Sequence, residues 1–336
     1  MKDERPVRVG VIGAGMMGSG HAACVRQSPR GELVAVADVD GERAREVAGR
    51  LGASAYQSHR ELLNRSEVDA VIVATPDWAH RDLCLEAAAA GKSMLVEKPL
   101  AMTVADCDAI IEAAENAGAT LMVGHILRFD PRYVAARAAI QSGDLGGVSY
   151  LYGRRSNPVV QARRFGGKTT VLHYLGVHEV DWMLWAMGEP VTEVYARSSR
   201  KALESLGVDD GVFAILRFSG GAMACVEAGW SRPEQSSVDL DAYLEVIGTV
   251  GSLYVDTPNA GVRVEGVKER RIDTTYGFAM SGQVGGALRE EVDHFLRCVQ
   301  EGRKPLVDGR QARAAVTVIA AAAESIQSGK PVSPAP

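Results

Sequence analysis

The sequence has few cysteines, no long apolar run and no excess of basic residues. Its five cysteines lie far apart among 336 residues and form no C-x-x-C pair, so the sequence indicates neither a cysteine-ligated zinc site nor a thioredoxin-type redox motif. No apolar run approaches the roughly 20 residues that a membrane helix needs. The formal net charge of -5 argues against a surface that neutralises nucleic-acid phosphates or anionic lipid. We therefore expect a cytoplasmic protein with a small-molecule partner and no metal.

The order of predicted elements indicates two domains, which also suits the length of 336 residues. Up to residue 125, short β-branched runs such as VRVGVIG and VDAVIVAT alternate with Ala-rich helical stretches, which predicts a parallel sheet of βαβ units. Beyond it, runs such as VFAILRFS and AYLEVIG indicate antiparallel strands, with helices near 167–187, 285–302 and 309–329. The predicted fold is α/β, with a Rossmann dinucleotide-binding domain at 1–125 and an α+β substrate-binding domain at 126–336.

A glycine motif lies where the first predicted strand gives way to a helix. VIGAGMMG places Gly13, Gly15 and Gly18 in a G-x-G-x-x-G spacing, in which the glycines permit a tight turn, approach of a pyrophosphate and close helix packing. The triplet alone is weak evidence, because any turn that needs small residues shows it. Asp38 ends the second strand twenty positions after Gly18, where an acid accepts hydrogen bonds from ribose hydroxyls. Together they predict a dinucleotide site.

The residues after the second strand bear on the choice of cofactor. Asp38 repels the extra phosphate of NADP and Val39 offers no cation, so the pair favours NAD, although Arg43 leaves NADP open. A methyltransferase shares a glycine-rich loop and such an acid, so residues further along decide between the two classes.

Polar residues also end the third and fourth strands of the predicted parallel sheet. ATPDWAH presents Thr75, Pro76 and His80, and the next strand runs into Glu97-Lys98-Pro99. Ligands of open α/β sheets collect at this edge. Lys98 is therefore either a ligand-side cation or a solvated surface lysine.

At this point the sequence resembles the glucose-fructose oxidoreductase and inositol dehydrogenase family, Gfo/Idh/MocA, over nearly the whole chain. The resemblance rests on GAGMMG, Asp38, TPDWAH, EKP at 97–99, GVHEVD and EGRKPLVDGRQARAAVTVIAAAAESIQSG in this order. It implies an NAD-dependent oxidoreductase acting on CH–OH groups of a sugar, inositol or related polyol. It also implies an open-faced sheet whose uncovered face pairs with another subunit, in a homodimer or homotetramer.

The resemblance further implies the residues that meet the cofactor. Lys98 is expected close to both the nicotinamide and the reacting hydroxyl, where its charge favours a developing alkoxide. His80 suits either the cofactor pocket or a helix cap. The expected cofactor-binding residues are Gly13, Gly15, Met16, Met17, Gly18, Asp38, Thr75, Pro76, His80, Glu97 and Lys98.

A second catalytic element is expected on the helix that contains YLGVHEVD. The family commonly shows Asp-x-Gly-x-His there, and in this chain Gly176 and His178 match while Tyr174 replaces the aspartate. Residues at i and i+4 share one helix face, so Tyr174 and His178 are expected to point together at the substrate. We expect His178 to take the hydroxyl proton. Asp181, one turn further along, suits either orienting that imidazole or bonding to nearby backbone. Tyr174 is expected to contact the substrate and to serve as a donor, unless its ring only packs under the sheet.

Further residues are weaker candidates for substrate contacts. The basic stretch around 154–168 suits a lid over an acidic or nucleotide-linked sugar, and it equally suits a solvated loop. An aromatic residue near 230 suits either the substrate pocket or the subunit interface. These candidates are His173, Arg163, Arg164 and Trp230.

The leading hypothesis is therefore an NAD-dependent sugar, inositol or polyol dehydrogenase. An NAD-dependent glycosidase that works by redox elimination is an alternative, which tightly retained NAD without net reduction would indicate. A non-catalytic dinucleotide-binding regulator is a third, against which the retention of Lys98 and His178 speaks.

Overall fold

The chain divides into two compact units. The computed structural model describes residues 5–236, 238–259, 262–264, 270–272, 275–280 and 282–334. One unit contains residues 1–129 and 275–313, and the other contains residues 130–274 and 314–336. The boundary expected after residue 125 lies near the first break. We expected residues 275–313 in the second domain, but the structure groups them with the first unit.

The first unit is built on a six-stranded sheet that is parallel throughout, in the order β3-β2-β1-β4-β5-β6. This confirms the predicted Rossmann-type sheet. Its elements are β1 (Val7–Ile12), α1 (Met16–Gln27), β2 (Gly31–Ala37), α2 (Gly41–Leu51), β3 (Ser54–Tyr56), α3 (His59–Leu63), β4 (Ala70–Val73), α4 (His80–Ala89), β5 (Ser93–Glu97), α5 (Val104–Asn116) and β6 (Leu121–Gly124).

The second unit contains a six-stranded mixed sheet in the order β12-β11-β7-β10-β9-β8. Only β7 and β10 pair in parallel within it, so the prediction of a largely antiparallel sheet is confirmed. Its elements are α6 (Pro131–Gln141), β7 (Val148–Pro158), α7 (Val159–Arg164), α8 (Val177–Met187), β8 (Val191–Ser199), β9 (Gly211–Phe218), β10 (Met223–Arg232), β11 (Asp241–Gly248), β12 (Ser252–Asp256), β13 (Val262–Val264) and β14 (Arg270–Ile272).

The chain then returns to the first unit through β15 (Ala279–Met280), β16 (Gln283–Val284) and α9 (Ala287–Glu301). The last helix, α10 (Gly309–Ser328), begins in the first unit and lies from residue 314 onward in the second. The apolar side of α9 explains the return. Phe295 and Leu296 are completely buried in the same core as Val9 and Val25, which lie on β1 and α1. Both terminal helices start and end close to their predicted bounds. Of the predicted strand GVRVEGV, residues 261 and 265–267 lie outside the described residues.

The helix expected over 167–187 begins later than predicted. Gly166 and Gly167 have positive φ angles of 57° and 82°, and a Cβ at Gly167 would lie 2.6 Å from the carbonyl oxygen of Leu206. These two glycines form a turn, so the helix cannot begin at residue 167. A π-helical turn over Leu172–Gly176 follows and runs directly into α8.

A buried ion pair joins α8 to β7 in the second unit. Arg155 Nε lies 2.8 and 2.9 Å from the two carboxylate oxygens of Glu179, and both side chains are almost completely buried. A Cβ at Gly153 would lie 2.9 Å from Glu179 Cγ and 2.8 Å from Met183 Cε, so this glycine lets the helix approach the strand. The ion pair and the glycine together determine how closely α8 packs on the sheet.

Among the residues that the structure describes, no helix has the length and apolar character needed to cross a membrane.

Candidate functional site

The predicted site residues fall into two groups, one in each unit. In the first unit they lie at the carboxyl ends of β1, β2, β4 and β5. In the second they lie on α7, on the π-helical turn, on α8 and at the end of β10. Each group is described separately.

The glycine loop has little room for side chains except at its centre. Gly13 has a φ of 98°, and a Cβ there would lie 2.4 Å from the carbonyl oxygen of Ala74. A Cβ at Gly18 would lie 1.8 Å from the carbonyl oxygen of Gly13. At Gly15 the same atom would meet none of the other described residues within 4 Å, its two chain neighbours aside. The outer two glycines are therefore required by the protein itself, whereas Gly15 faces open space.

The start of α1 suits an anion. Gly15 is its N-cap residue and makes no side-chain hydrogen bond, and the first turn contains no acidic residue. The N–H groups and the positive end of the helix dipole are thus not compensated by the described cap residues. Met16 is 77% exposed beside this loop, whereas Met17 packs against the core. This terminus provides what a pyrophosphate needs.

Asp38 is tied to the glycine loop by its own carboxylate. Its Oδ2 accepts from the backbone N–H of Ala14 at 2.7 Å, and its Oδ1 accepts from the N–H of Asp40 at 2.8 Å. Each carboxylate oxygen has two lone pairs, so the group keeps capacity for ribose hydroxyls. A guanidinium nitrogen of Arg43 lies 3.7 Å from Asp38, and another lies 3.1 Å from Asp40. Arg43 is therefore engaged by two carboxylates.

His80 connects the loops that follow β4 and β5. It is the first residue of α4 and is completely buried. Its Nδ1 lies 2.9 Å from the carbonyl oxygen of Pro99, and its Nε2 lies 3.0 Å from that of Thr75. The ring thus lies between the backbones of the two loops, and a ring nitrogen that carries hydrogen donates to the carbonyl oxygen next to it. Pro76 beside it is exposed.

Two observations fit the binding of NAD to this edge of the sheet. The first is the open space at Gly15 within an otherwise tight loop. The second is the hydroxyl of Thr75, which is buried and has no hydrogen-bond partner among the described residues. A buried polar atom without a partner is costly, and a ligand group removes that cost.

Glu97 and Lys98 have different surroundings although they are neighbours. Glu97 is buried, and its Oε1 lies 2.7 Å from His21 Nε2 while its Oε2 accepts from the N–H of Lys98 at 3.2 Å. Burial by itself raises the pKa of Glu97, but the hydrogen bond from His21 and the nearby positive charges lower it overall. Lys98 is half-buried at the end of the strand. Glu97 thus holds the backbone of Lys98 from a buried position, and its expected contact with the cofactor stays a prediction.

In the second unit, Tyr174 belongs to an aromatic cluster. Its ring centroid lies 4.8 Å from that of Phe165 and 5.9 Å from that of Trp230. Trp230 is completely buried, and its indole N–H donates to the carbonyl oxygen of Asp209 at 2.7 Å. That burial favours a supporting role for Trp230 under Tyr174 over direct contact with a substrate or a partner.

His178 lies in the first turn of α8, directly after the π-helical turn that contains Tyr174. It is 6% exposed, and Asp181 in the following turn is 1% exposed. Single π-helical turns of this kind are frequent at functional sites. The wider turn was not predicted, because the sequence around it has the pattern of an ordinary helix.

The basic residues expected in a lid have partners within the second unit. Arg163 and Arg164 end the short helix α7, where Arg163 forms an ion pair with Glu234 and Arg164 donates to Gln161 at 3.2 Å. His173 Nδ1 lies 2.8 Å from the hydroxyl of Thr170. These side chains thus make contacts close to the end of a short helix, within the second unit.

Two buried residues near Glu97 were missed by the sequence analysis. His21 lies on α1 and is completely buried against Glu97, and Glu291 lies on α9, with one atom of each of the three side chains within 4.8 Å of the others. A histidine one turn after the glycine loop was the available signal for the first. No signal pointed to Glu291, which lies almost 200 residues from Glu97.

Comparison with known proteins agrees with this geometry. Residues 7–125 match the model of an oxidoreductase family with an NAD-binding Rossmann fold, GFO_IDH_MocA. Residues 133–254 match the GFO/IDH/MocA C-terminal domain.

Similar proteins extend over nearly the full length. A scyllo-inositol 2-dehydrogenase (NAD(+)) of Bacillus subtilis (strain 168) is 31% identical over 98% of this chain and 96% of its own. A myo-inositol 2-dehydrogenase of Thermotoga maritima is 29% identical over 97% of this chain and 98% of its own. The crystal structure of a putative myo-inositol dehydrogenase from Sinorhizobium meliloti 1021 superposes with a TM-score of 0.84, at 26% identity, over 98% of this chain and 100% of its own.

Two substitutions in the glycine loop separate folding from cofactor binding. Gly15→Ala should cost about 1 kcal/mol of stability, because alanine is a poorer N-cap residue. It should weaken NAD binding on the order of ten-fold or more, because the methyl group occupies the open space. Gly18→Ala should cost about 3 kcal/mol or more, since its Cβ overlaps the backbone. Thermal unfolding and calorimetric titration with NAD measure both; undiminished binding by Gly15→Ala would refute the assignment.

Proposed function

We propose, from the premise that this chain belongs to the Gfo/Idh/MocA family of oxidoreductases, that its substrate is an inositol and that it oxidises one ring hydroxyl to a ketone. The chain is an NAD-dependent oxidoreductase that acts on CH–OH groups of a polyol, and the same residues serve the reverse reduction. The observation that carries the choice of inositol is the similarity to inositol 2-dehydrogenases over nearly the entire chain.

The first unit holds the cofactor in this proposal. The backbone at Gly15 and the start of α1 bind the pyrophosphate, and Asp38 accepts hydrogen bonds from the adenosine ribose. Thr75 offers its buried hydroxyl to the cofactor, while His80 keeps the two neighbouring loops in place. When bound, NAD supplies the hydride acceptor, at C4 of its nicotinamide ring.

The residues of this chain handle the proton and the charge. Lys98 donates a hydrogen bond to the reacting hydroxyl and stabilises the alkoxide character that develops as hydride leaves the same carbon. An imidazole nitrogen of His178 accepts the hydroxyl proton, and in the reverse direction it returns that proton to the ketone oxygen. Tyr174 contacts the substrate through its hydroxyl, with its ring held by Phe165 and Trp230. The roles of Lys98 and His178 follow the family resemblance, whereas that of Tyr174 is proposed for a residue that departs from the family pattern.

Substitution of the reacting groups tests these roles. Lys98→Ala should lower kcat about 100-fold or more while NAD still binds, because a preorganised charge is lost. His178→Ala should lower kcat by about 100- to 10,000-fold and remove the limb of the pH profile in which the rate rises as an imidazole loses its proton. Tyr174→Phe keeps the aromatic packing and should lose substrate affinity. Steady-state kinetics measure all three, with Lys201→Ala, an exposed lysine, as the control.

Two outcomes would contradict the roles proposed for Lys98 and His178. Unchanged turnover in Lys98→Ala would remove the lysine from the reaction, and a retained pH limb in His178→Ala would place the base elsewhere.

Asp38 is proposed to set the preference for NAD over NADP. Asp38→Ser should lower kcat/KM for NAD about 10- to 100-fold, since a charge-assisted hydrogen bond is worth about 1.5–3 kcal/mol, and should raise kcat/KM for NADP. Asp40→Asn is the matched control: it removes a neighbouring carboxylate that also binds Arg43, while asparagine caps α2 equally well. Equal changes in both variants would contradict a specific role for Asp38.

The chain is also proposed to form a homo-oligomer through one face of the second sheet. Along β9, Val212, Ala214 and Leu216 are buried, whereas Phe213 and Ile215 are 56% and 43% exposed. Large apolar side chains on four strands of this sheet are exposed, which is unusual for a surface that stays in water. They are Tyr150, Phe213, Ile215, Met223 and Tyr254.

A charged substitution on this face tests the proposed association. The double variant Phe213→Arg and Ile215→Arg should shift the chain to a monomer in sedimentation velocity, because four buried cationic groups per dimer would lack partners. Val250→Arg, at an exposed apolar residue in the β11–β12 turn, should leave the oligomer intact. A parent protein that sediments as a monomer would overturn the proposal.

A further inference from the structure

A cluster of three buried ionisable side chains lies inside the first unit. His21 and Glu291 are completely buried and Glu97 is 8% exposed, and one nitrogen or oxygen of each lies within 4.8 Å of the others. They come from α1, from the end of β5 and from α9. The segment that rejoins the first unit after residue 274 thus places a second acid next to Glu97.

The two carboxyl groups of this cluster differ in their hydrogen bonds. Glu97 pairs with His21 Nε2 at 2.7 Å and accepts from the N–H of Lys98 at 3.2 Å. Within the part of the chain that the structure describes, neither carboxyl oxygen of Glu291 has a hydrogen-bond partner. Gly124 at the end of β6 faces the same acid, since a Cβ there would lie 3.5 Å from Glu291 Oε1.

The electrostatics of the pair determine which acid carries a proton. An ionised carboxylate in the interior without a donor is very costly, and a second negative charge at this distance adds to that cost. Glu97 has a donor and nearby cations, which hold its pKa below the ordinary value despite its burial. Burial and then the charge of Glu97 raise the pKa of Glu291 well above its ordinary value. Geometry and charge therefore agree on Glu291 as the protonated member.

We propose that Glu291 is a positioning residue that stays a neutral carboxylic acid at physiological pH. It leaves the cluster with one carboxylate charge, on Glu97, which pairs with His21, holds the backbone of Lys98 and acts on its ammonium group. The part of this inference that concerns Lys98 rests on the proposed function, whereas the protonation of Glu291 does not.

Other titratable and charged groups surround the cluster on every side that the structure describes. On α1, burial raises the pKa of Cys24 to about 12, so this thiol is neutral. On α9, Arg289 and Asp293 lie 3.8 Å apart and compensate each other. The remaining groups that act on Glu97 are His80 on α4 and Lys98 after β5.

Infrared spectroscopy of the full chain detects the proposed proton directly. The parent protein at neutral pH should show the carbonyl stretch of one buried carboxylic acid, which Glu291→Gln should abolish. Glu290→Gln, an exposed glutamate next to it on α9, should retain the band. In Glu97→Gln the band should disappear at a lower pH than in the parent, because the neighbouring negative charge that raises the pKa of Glu291 is gone. An unchanged pH of disappearance would mean that the two acids do not interact.

Stability as a function of pH gives a second readout. A carboxyl whose folded pKa exceeds its unfolded value of 4.5 binds more protons in the folded state. The stabilising effect of such a group is fully present below its unfolded pKa of 4.5 and is lost as pH rises through its folded pKa. The melting temperature of Glu291→Gln relative to the parent should therefore increase above about pH 4.5. Glu290→Gln should show no such trend.

The link to Lys98 is measured separately through the pH profile of kcat. Glu97→Gln removes the negative charge beside Lys98 and should move the alkaline limb of that profile to lower pH. If the alkaline limb stays at the same pH in Glu97→Gln while the infrared results are as expected, only the link to Lys98 is overturned. A missing carboxylic-acid band, a band that survives in Glu291→Gln, or a stoichiometric metal ion that this variant loses overturns the protonation of Glu291. Inactivity of the parent toward inositols would affect neither infrared outcome.

Discussion

The turn from β1 into α1 has no room for a side chain at Gly13 or Gly18, and much of the first unit depends on that close approach. A Cβ at either position would overlap a backbone oxygen. Because the turn is so tight, the backbone of Ala14 lies within reach of Asp38, and the start of α1 faces open space at Gly15. The same turn sets the direction of α1 and so brings His21 to Glu97, behind the proposed reactive lysine.

The second unit positions its groups by different means. The buried pair of Arg155 and Glu179 holds α8 against β7, and breaking such a pair typically costs about 3–5 kcal/mol because one charge is left uncompensated. The ring of Tyr174 packs against those of Phe165 and Trp230, which also stack on each other. The side chains proposed to meet the substrate thus lie on a helix whose position is fixed by partners that are themselves buried.

Local patterns in the sequence predicted the parts of the fold and site that depend on local rules. The parallel sheet, the glycine loop and the late helices follow from periodicity and glycine spacing. Contacts between distant segments were not predictable in this way. Glu291 reaches Glu97 only because α9 packs its apolar side on β1 and α1, and nothing near residue 291 in the sequence signals that neighbour. The burial of Trp230 likewise depends on a strand pairing and an aromatic contact across some 60 residues.

The most direct test of the account is the formation of reduced nicotinamide, followed by its absorbance, when the purified chain is offered NAD or NADP with scyllo-inositol, myo-inositol and other polyols. We expect reduced nicotinamide with an inositol and NAD, and far slower formation with NADP. Binding of NAD without net reduction on any inositol would contradict the proposed substrate, and retention of that NAD through a reaction on glycosides would favour redox elimination instead.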